Sequence, residues 1–262
     1  GAEAVIHCAG KNKVIRHSEY EEVNDAGTRH IVAAANTHAD SIRHFIHISS
    51  LAVSGPGTIT QPARENAPPQ PVSAYGRSKL AGETAVRKNC RMAWTILRPA
   101  AVYGPRDRDF FNVFKAVKLH LMPLFDSGHQ PLSLAFAPDV AAAVLACLGH
   151  RKACGKIYHV AATPPCSNEE LLQEIATQMG VRPLRVILPR AVLCPLGGLQ
   201  EVLARLSGRP GILSRDKVRE IQAPGWVCAT ERIEKDLGFS APTPLDKGVA
   251  RTLEWYRRQG WL

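Results

Sequence analysis

A tyrosine and a lysine four residues apart are the sharpest chemical feature of this sequence. Tyr75-Gly-Arg-Ser-Lys79 follows Ser73, which can cap a helix running to about Lys88. In a helix this spacing places the phenol and the ammonium on one face, one turn apart. At about 4 Å and an effective dielectric of about 20, their attraction of roughly 4 kcal/mol lowers the phenol pKa from about 10 toward neutrality. Such a phenol can exchange a proton with an alcohol or a carbonyl.

A pair of serines stands where a partner for that phenol would be needed. Ser49 and Ser50 end a short apolar run at residues 45–48, which reads as a buried strand. Open α/β sheets bind ligands beyond the carboxyl ends of their strands, so a hydroxyl there can bond a substrate oxygen. Two serines after a strand are also common turn formers, and a tyrosine and a lysine can share a solvated helix face. Both interpretations stay open on these residues alone.

The elements that must position these residues follow a regular alternation up to residue 160. Strands are predicted at residues 4–8, 45–48, 94–97 and 156–160, and helices at residues 18–36, 73–88, 110–119 and 139–148. Such alternation predicts an α/β fold with a doubly wound parallel sheet. Beyond it come a helix at 168–179, a Pro- and Leu-rich stretch and a helix at 245–258. We therefore predict a sheet domain at 1–160 and a smaller, mostly helical substrate-binding lobe at 161–262.

The composition and the net charge indicate which kinds of ligand the protein can be expected to bind. The 262 residues carry a formal charge of +10, which favours an anionic ligand such as a phosphorylated cofactor. The basic residues are scattered and aromatic residues make up 6%, so nucleic acid is not expected. Seven cysteines without CxxC or zinc-ligand spacing predict free thiols, no metal site and a cytoplasmic setting. The most apolar stretch, residues 186–206, is interrupted by Pro, Gly and charge, so no membrane span is expected.

Six motifs in this order resemble the extended short-chain dehydrogenase/reductases, the NAD-dependent epimerase/dehydratase group. They are Val5-Ile-His-Cys-Ala-Gly10, Asn24-Asp-Ala-Gly-Thr28, Ile48-Ser-Ser-Leu-Ala-Val-Ser-Gly55, Tyr75-Gly-Arg-Ser-Lys79, Leu97-Arg-Pro-Ala-Ala-Val-Tyr-Gly-Pro105 and Pro138-Asp-Val-Ala141. The resemblance covers nearly the whole chain and implies a Rossmann-type fold. Ser50-Leu-Ala-Val-Ser-Gly-Pro56 and the apolar stretch at 186–206 look most like the 3β-hydroxysteroid dehydrogenase branch.

The resemblance also implies roles for particular residues. Tyr75 would move the proton, Lys79 would lower the phenol pKa and hold the ribose hydroxyls of NAD or NADP, and Ser50 matches the catalytic serine or threonine. The cofactor would lie along residues that match family positions: Cys8, Ala9, Gly10, Asn12, Asn24, Tyr75, Lys79, Pro99 and Val102. Members of the family tend to form homodimers through the helix that carries the tyrosine.

One expected part of the family pattern is missing. The family begins with a strand, a glycine-rich turn and a helix that receives the pyrophosphate, and nothing of that kind precedes Ala4. We therefore expect an N-terminally truncated nucleotide domain that starts at its fourth strand. The first strand would lie at an unpaired sheet edge, and this chain would bind a dinucleotide poorly.

The residues after Ser50 bear on the reaction. Sugar 4,6-dehydratases of the family have Asp-Glu there, whereas this chain has Leu51 and Ala52, which cannot transfer protons. Dehydration is therefore not expected. The resemblance implies oxidoreduction between an alcohol and a ketone on an apolar, steroid- or flavonoid-like small molecule. The alternatives are a nucleotide-sugar 4-epimerase and an inactive or nucleotide-sensing relative.

Overall fold

A parallel sheet forms the first half of the molecule. The computed structural model describes residues 1–125, 128–208, 211 and 214–262. Its strands, in chain order, are β1 (Ala4–His7), β2 (His44–Ile48), β3 (Ala93–Pro99), β4 (Ala101–Tyr103), β5 (Leu121–Phe125), β6 (Pro131–Leu132), β7 (Leu134–Phe136), β8 (Lys156–Val160), β9 (Cys166–Ser167) and β10 (Leu184–Leu188). The main sheet has the order β1-β2-β3-β8 with all pairs parallel. The predicted α/β fold with a parallel sheet is confirmed.

Helices cover both faces of this sheet and build the C-terminal part. They are α1 (Ser18–Tyr20), α2 (Gly27–Asn36), α3 (Ala74–Asn89), α4 (Asp109–Lys118), α5 (Ala137–Cys147), α6 (Asn168–Met179), α7 (Arg190–Ser207), α8 (Arg215–Ile221), α9 (Glu231–Leu237) and α10 (Leu245–Arg258). A π-helical segment, Glu21–Ala26, joins α1 to α2. The predicted helix at 18–36 is thus one continuous helix with a wider middle turn.

Local sequence signals explain where several helices begin. Ser73 caps α3 by accepting a hydrogen bond from the Gly76 amide at 3.1 Å, and Ser167 forms a reciprocal capping box with Glu170 on α6. The predicted start of α5 at Asp139 is two residues late, because Pro138 already occupies the first turn.

Strand pairing links the two halves of the chain. The proposed boundary after residue 160 coincides with the end of β8, yet β10 returns to pair in parallel with β5. Helix α7 lies in the Pro- and Leu-rich stretch where the sequence predicted no element, and it contains Pro195. Within the described part of the chain, none of the helices is both long and apolar enough to cross a membrane.

Alternating side chains on the strands fill three main apolar regions. Phe45 and Ile96 pack with α2 and α3 on one face of the sheet, and Ile46 and Leu97 pack with α5 on the other. A third region joins α4 to α10 and contains many rings. We call five of its residues the aromatic cluster: Phe111, Phe114, Trp255, Tyr256 and Trp261. The packed faces leave the carboxyl ends of β1, β2 and β3 at one edge, where the candidate residues lie.

Candidate active site

Ser50 and Tyr75 meet at the carboxyl end of β2. Ser50 is extended and caps a single 3₁₀ turn, Leu51–Val53, by accepting from the Ala52 amide at 3.2 Å. The first turn of α3 lies directly against this turn, since a Cβ at Gly76 would come 2.5 Å from the Ala52 carbonyl oxygen. This close approach brings the Tyr75 phenol next to the Ser50 side chain.

Lys79 lies one helical turn further into the protein. Its side chain is only 4% exposed, and its ammonium donates to the Ile48 carbonyl at the end of β2 over 2.6 Å. Burial lowers the pKa of Lys79 to about 8, although the nearby Glu83 and Cys8 side chains act to raise it. The ammonium has three donors, so two remain beyond the bond to Ile48.

The predicted lowering of the Tyr75 pKa is wrong for this structure. Burial raises the pKa of Tyr75 above its usual value, the neighbouring Ser50 hydroxyl opposes that rise, and Glu220 adds to it. Helical spacing accounts for the attraction between the phenol and an ammonium, but it does not account for the desolvation of the phenol. At neutral pH the phenol therefore keeps its proton and is ready to donate it.

Asn24 holds the loop after β1 close to Lys79. Its side chain accepts from the Lys11 amide at 2.8 Å, donates to the Lys11 carbonyl at 3.0 Å and donates to Ser78 at 2.9 Å. Gly10 approaches so closely that a Cβ there would lie 3.1 Å from the Asn24 side-chain oxygen and 3.7 Å from the Lys79 nitrogen. Gly82 lets α3 reach the π-helical segment, since its Cβ would come 2.5 Å from the Asn24 carbonyl.

The other residues predicted at the cofactor lie along the same sheet edge or beside it. Cys8 and Ala9 are exposed in the loop that follows β1. Asn12 is also exposed and donates to Asp109 at 3.1 Å. Pro99 is buried at the end of β3, whereas Val102 on β4 is 37% exposed.

This arrangement fits a dinucleotide better than it fits a metal ion. Parallel sheets bind nucleotides beyond their carboxyl ends, where Gly10, Lys79 and the open loop after β1 come together. Among the residues that the structure describes, no group of three or more His, Cys, Asp or Glu could hold a metal ion.

A buried ion pair behind the site was not predicted from the sequence. Arg98 on β3 and Glu83 on α3 are 1% and 0% exposed, and Arg98 Nη2 lies 2.7 Å from Glu83 Oε2. Two signals could have revealed it. Glu83 stands one helical turn after Lys79, and Arg98 is a charged residue that directly follows an apolar strand run.

Comparison with known proteins gives one family over the whole sheet half. Residues 1–161 match the sequence profile of the NAD dependent epimerase/dehydratase family. Ceramide reductase of Caulobacter vibrioides (strain NA1000 / CB15N) is 28% identical over 264 residues, covering 100% of this chain and 76% of its own length. UDP-glucose 4-epimerase of Vibrio cholerae is 29% identical over 263 residues, covering 95% of this chain and 75% of its own.

A solved structure shares the fold. UDP-glucuronic acid 4-epimerase from Bacillus cereus, in complex with NAD, superposes with a TM-score of 0.77 at 20% identity. The match covers 98% of this chain and 75% of that protein.

Proposed function

Because the chain belongs to the NAD dependent epimerase/dehydratase family, we propose that Ser50, Tyr75 and Lys79 interconvert an alcohol and a ketone with NAD as the redox partner. The observation that carries this proposal is the placement of the Tyr75 phenol next to the Ser50 side chain, one helical turn from the buried Lys79. Similar proteins include two 4-epimerases, one of them solved in complex with NAD, and a reductase, which supports an NAD-dependent enzyme rather than a nucleotide-sensing relative.

The chemistry follows from which groups can hold or move a proton. NAD, when bound, supplies the acceptor or donor of hydride. In the reducing direction the Tyr75 phenol gives its proton to the carbonyl oxygen as the carbonyl carbon gains a hydride, and in the oxidising direction the phenolate takes the alcohol proton back. Ser50 holds the same oxygen by a hydrogen bond. Lys79, as an ammonium, stabilises the phenolate between the two steps.

Dehydration is disfavoured by the turn after Ser50. Leu51, Ala52 and Val53 are 3%, 8% and 0% exposed, and their side chains are apolar. Elimination of water needs a further acid and base near the substrate, and this turn provides neither.

A nucleotide-linked sugar is the first substrate candidate. The Vibrio cholerae relative and the Bacillus cereus structure are both 4-epimerases of UDP-linked sugars by name. The formal charge of +10 would attract an anionic diphosphate. A transient 4-ketone needs only the alcohol and ketone chemistry described above. The steroid- or flavonoid-like substrate predicted from the sequence has no counterpart among the relatives named above.

A lipid alcohol or ketone is the second candidate. The ceramide reductase relative matches the whole chain. In addition, paired residues of β5 and β10 put only apolar side chains on the sheet face opposite the buried Met122 and Leu124. That face consists of Leu121, Pro123, Phe125, Leu184, Val186 and Leu188.

Turnover by the purified full-length protein tests both candidates. In the first assay, UDP-glucose is incubated with NAD and formation of its 4-epimer is followed by NMR. In the second, interconversion of a ceramide and its ketone form is followed by the absorbance of NADH. We expect one of the two reactions, with a loss of rate in Ser50→Ala and Lys79→Met. The proposal would be contradicted by turnover that survives both substitutions, or by NAD binding without any alcohol or ketone exchange.

A further inference from the structure

A bidentate ion pair lies buried behind the candidate active site. Arg98 Nε donates to Glu83 Oε1 at 2.8 Å, and Nη2 donates to Oε2 at 2.7 Å. Both side chains are almost fully inaccessible to solvent. The parallel bonds of such a fork fix the orientation of both groups as well as the distance between them.

The same two side chains hold both ends of the segment that carries Ser50. Ser49, the residue before it, donates to Glu83 Oε1 at 2.5 Å. Ser54, which follows the 3₁₀ turn, accepts from Arg98 Nη1 at 3.0 Å and also bonds His159 Nε2 on β8 at 2.7 Å. The segment at residues 49–54 is therefore tied to α3, to β3 and to β8.

The ion pair also reaches the other side of the site through α3. Glu83 stands four residues after Lys79 and eight after Tyr75, so all three lie along one side of the helix. A shift of the carboxylate relative to α3 would move the Ser49 end of the segment relative to the phenol. The geometry thus joins Ser50 to Tyr75 by a second route, in addition to their direct proximity.

Stability alone does not explain why the chain buries these charges. Removing a carboxylate and a guanidinium from water carries a large desolvation cost, and apolar replacements of similar volume often leave stability unchanged or higher. A buried ion pair can instead specify one arrangement of the elements around it.

We infer that Glu83 and Arg98 are positioning residues, whose buried ion pair sets the Ser50 hydroxyl at reacting distance from the Tyr75 phenol. This inference rests on the proposed function of Ser50, Tyr75 and Lys79. It assigns the pair no contact with the substrate. Misplacement of a reacting group by about 1 Å can lower a rate by roughly 100-fold. We therefore expect loss of the ion pair to lower kcat rather than to weaken substrate binding.

Lys79 offers a readout that needs no substrate. The titratable groups that interact with it are Glu83 on α3, Cys8 after β1, His7 on β1 and His47 on β2. Of these, the Glu83 carboxylate is the main group that raises the pKa of Lys79. Loss of that carboxylate should therefore lower the pKa of Lys79 from its value of about 8.

The decisive variant replaces both partners, Glu83→Met with Arg98→Met, because neither charge is then left alone. We expect the melting temperature to stay within about 5 °C of the parent protein while kcat falls at least about tenfold and KM changes by less than about threefold. Ser49→Ala is a milder variant, because it keeps the ion pair and removes only the hydrogen bond from Ser49 to Glu83. We expect a smaller fall in kcat.

Asp139→Asn is the matched control, since it alters a buried carboxylate away from the site. Asp139 is 4% exposed and accepts from the Thr243 amide at 3.1 Å and the Thr243 hydroxyl at 2.7 Å. Its loss should lower the melting temperature and leave kcat per folded molecule unchanged. A folded double Met variant with the parent kcat would overturn the inference. If the double variant does not fold, a Ser49→Ala protein with the parent kcat would overturn it instead.

The failure of the proposed function is distinguishable from the failure of this inference. No turnover by the parent protein would overturn the proposed function. In that case the pKa of Lys79 is read from its rate of reductive methylation against pH, by mass spectrometry, in the parent and in Glu83→Gln. A lower pKa in Glu83→Gln supports the contact between the ion pair and the site, and an unchanged pKa contradicts it.

Discussion

Two buried regions of this molecule are built from opposite kinds of side chain. At the carboxyl end of the sheet, Asn24, Ser49, Lys79, Glu83 and Arg98 are all less than 6% exposed, and hydrogen bonds join most of their polar atoms. The aromatic cluster between α4 and α10 is packed by rings instead. Tyr256 contacts Phe114 edge to face at 5.2 Å between ring centres, and it stacks on Trp261 at 5.6 Å.

The difference separates what holds the protein folded from what arranges its candidate chemistry. Aromatic pairs contribute about 0.5–1.5 kcal/mol each beyond the apolar area that they bury. Buried charges and amides must first be desolvated, and their hydrogen bonds do little more than offset that cost. We therefore expect substitutions in the aromatic cluster to lower stability, and substitutions at the sheet end to change the rate without a large loss of stability.

The largest expected effect on stability is in the aromatic cluster. Phe114 is 1% exposed, so Phe114→Ala leaves a cavity and should lower the free energy of unfolding by about 3–5 kcal/mol. Urea denaturation measures this loss, and kcat per folded molecule should stay at the parent value. A fall in kcat with the protein still folded would show that the two regions are coupled.

Lys79→Met should act in the opposite direction on stability. The folded-state pKa of about 8 lies below the ordinary value of 10.5, so between these pH values the unfolded chain holds a proton that the folded protein has released. Stability from this group therefore rises with pH through that window and is lowest below pH 8. Met should raise the free energy of unfolding at pH 7 by up to about 3 kcal/mol while abolishing turnover.

The free energy of unfolding is measured against pH by urea denaturation for the parent protein and for Lys79→Met. The difference between the two proteins isolates Lys79 from other groups that titrate above pH 8. The gain from Met should shrink as the pH rises from 8 to 10. A constant difference over that range would contradict the account of Lys79 as a buried, destabilising charge.

The smallest expected effect concerns His47. It is 0% exposed, and neither ring nitrogen has a hydrogen-bond partner among the described residues. Burial, Lys79 and His7 hold its pKa well below 6.5, so stability is lost as the pH falls below that value and the unfolded chain takes up a proton. His47→Leu should change stability at pH 7 by less than about 1.5 kcal/mol and make the acid-side loss shallower.

Exposed His38→Leu is the control for that measurement. Thermal unfolding between pH 7 and 4 gives both curves. An acid-side loss that is as steep in His47→Leu as in the parent would exclude His47 as one of its sources.

The sequence predicted most of the sheet half, and the placement of Ser50, Tyr75 and Lys79 at the end of β2, because their signals are local. Ser73 is an N-cap residue that predicts the start of α3, and Ser50 follows a buried strand. The spacing of Tyr75 and Lys79 places both residues on one helix face. Each of these signals depends only on residues within one or two turns of chain.

The features that the sequence did not predict depend on contacts between residues that are distant in the chain. Helix α7 was missed because Pro195 and two glycines interrupt its pattern, yet Gly197 is where it packs on α8, with a Cβ only 3.0 Å from the Val218 side chain. The Glu83–Arg98 pair joins a helix to a strand, and the pKa of Tyr75 depends on burial. Neither property is contained in the spacing of residues.

Two matched tyrosine substitutions test the central claim most directly. Tyr75→Phe removes the phenolic proton donor at the sheet end, and Tyr256→Phe removes a buried phenol that donates to the Asp107 carbonyl at 2.7 Å. Measured side by side, Tyr75→Phe should lower kcat by about 10²–10⁴-fold with little change in melting temperature. Tyr256→Phe should lower the melting temperature and keep kcat. A Tyr75→Phe protein that turns over at the parent rate would contradict the account.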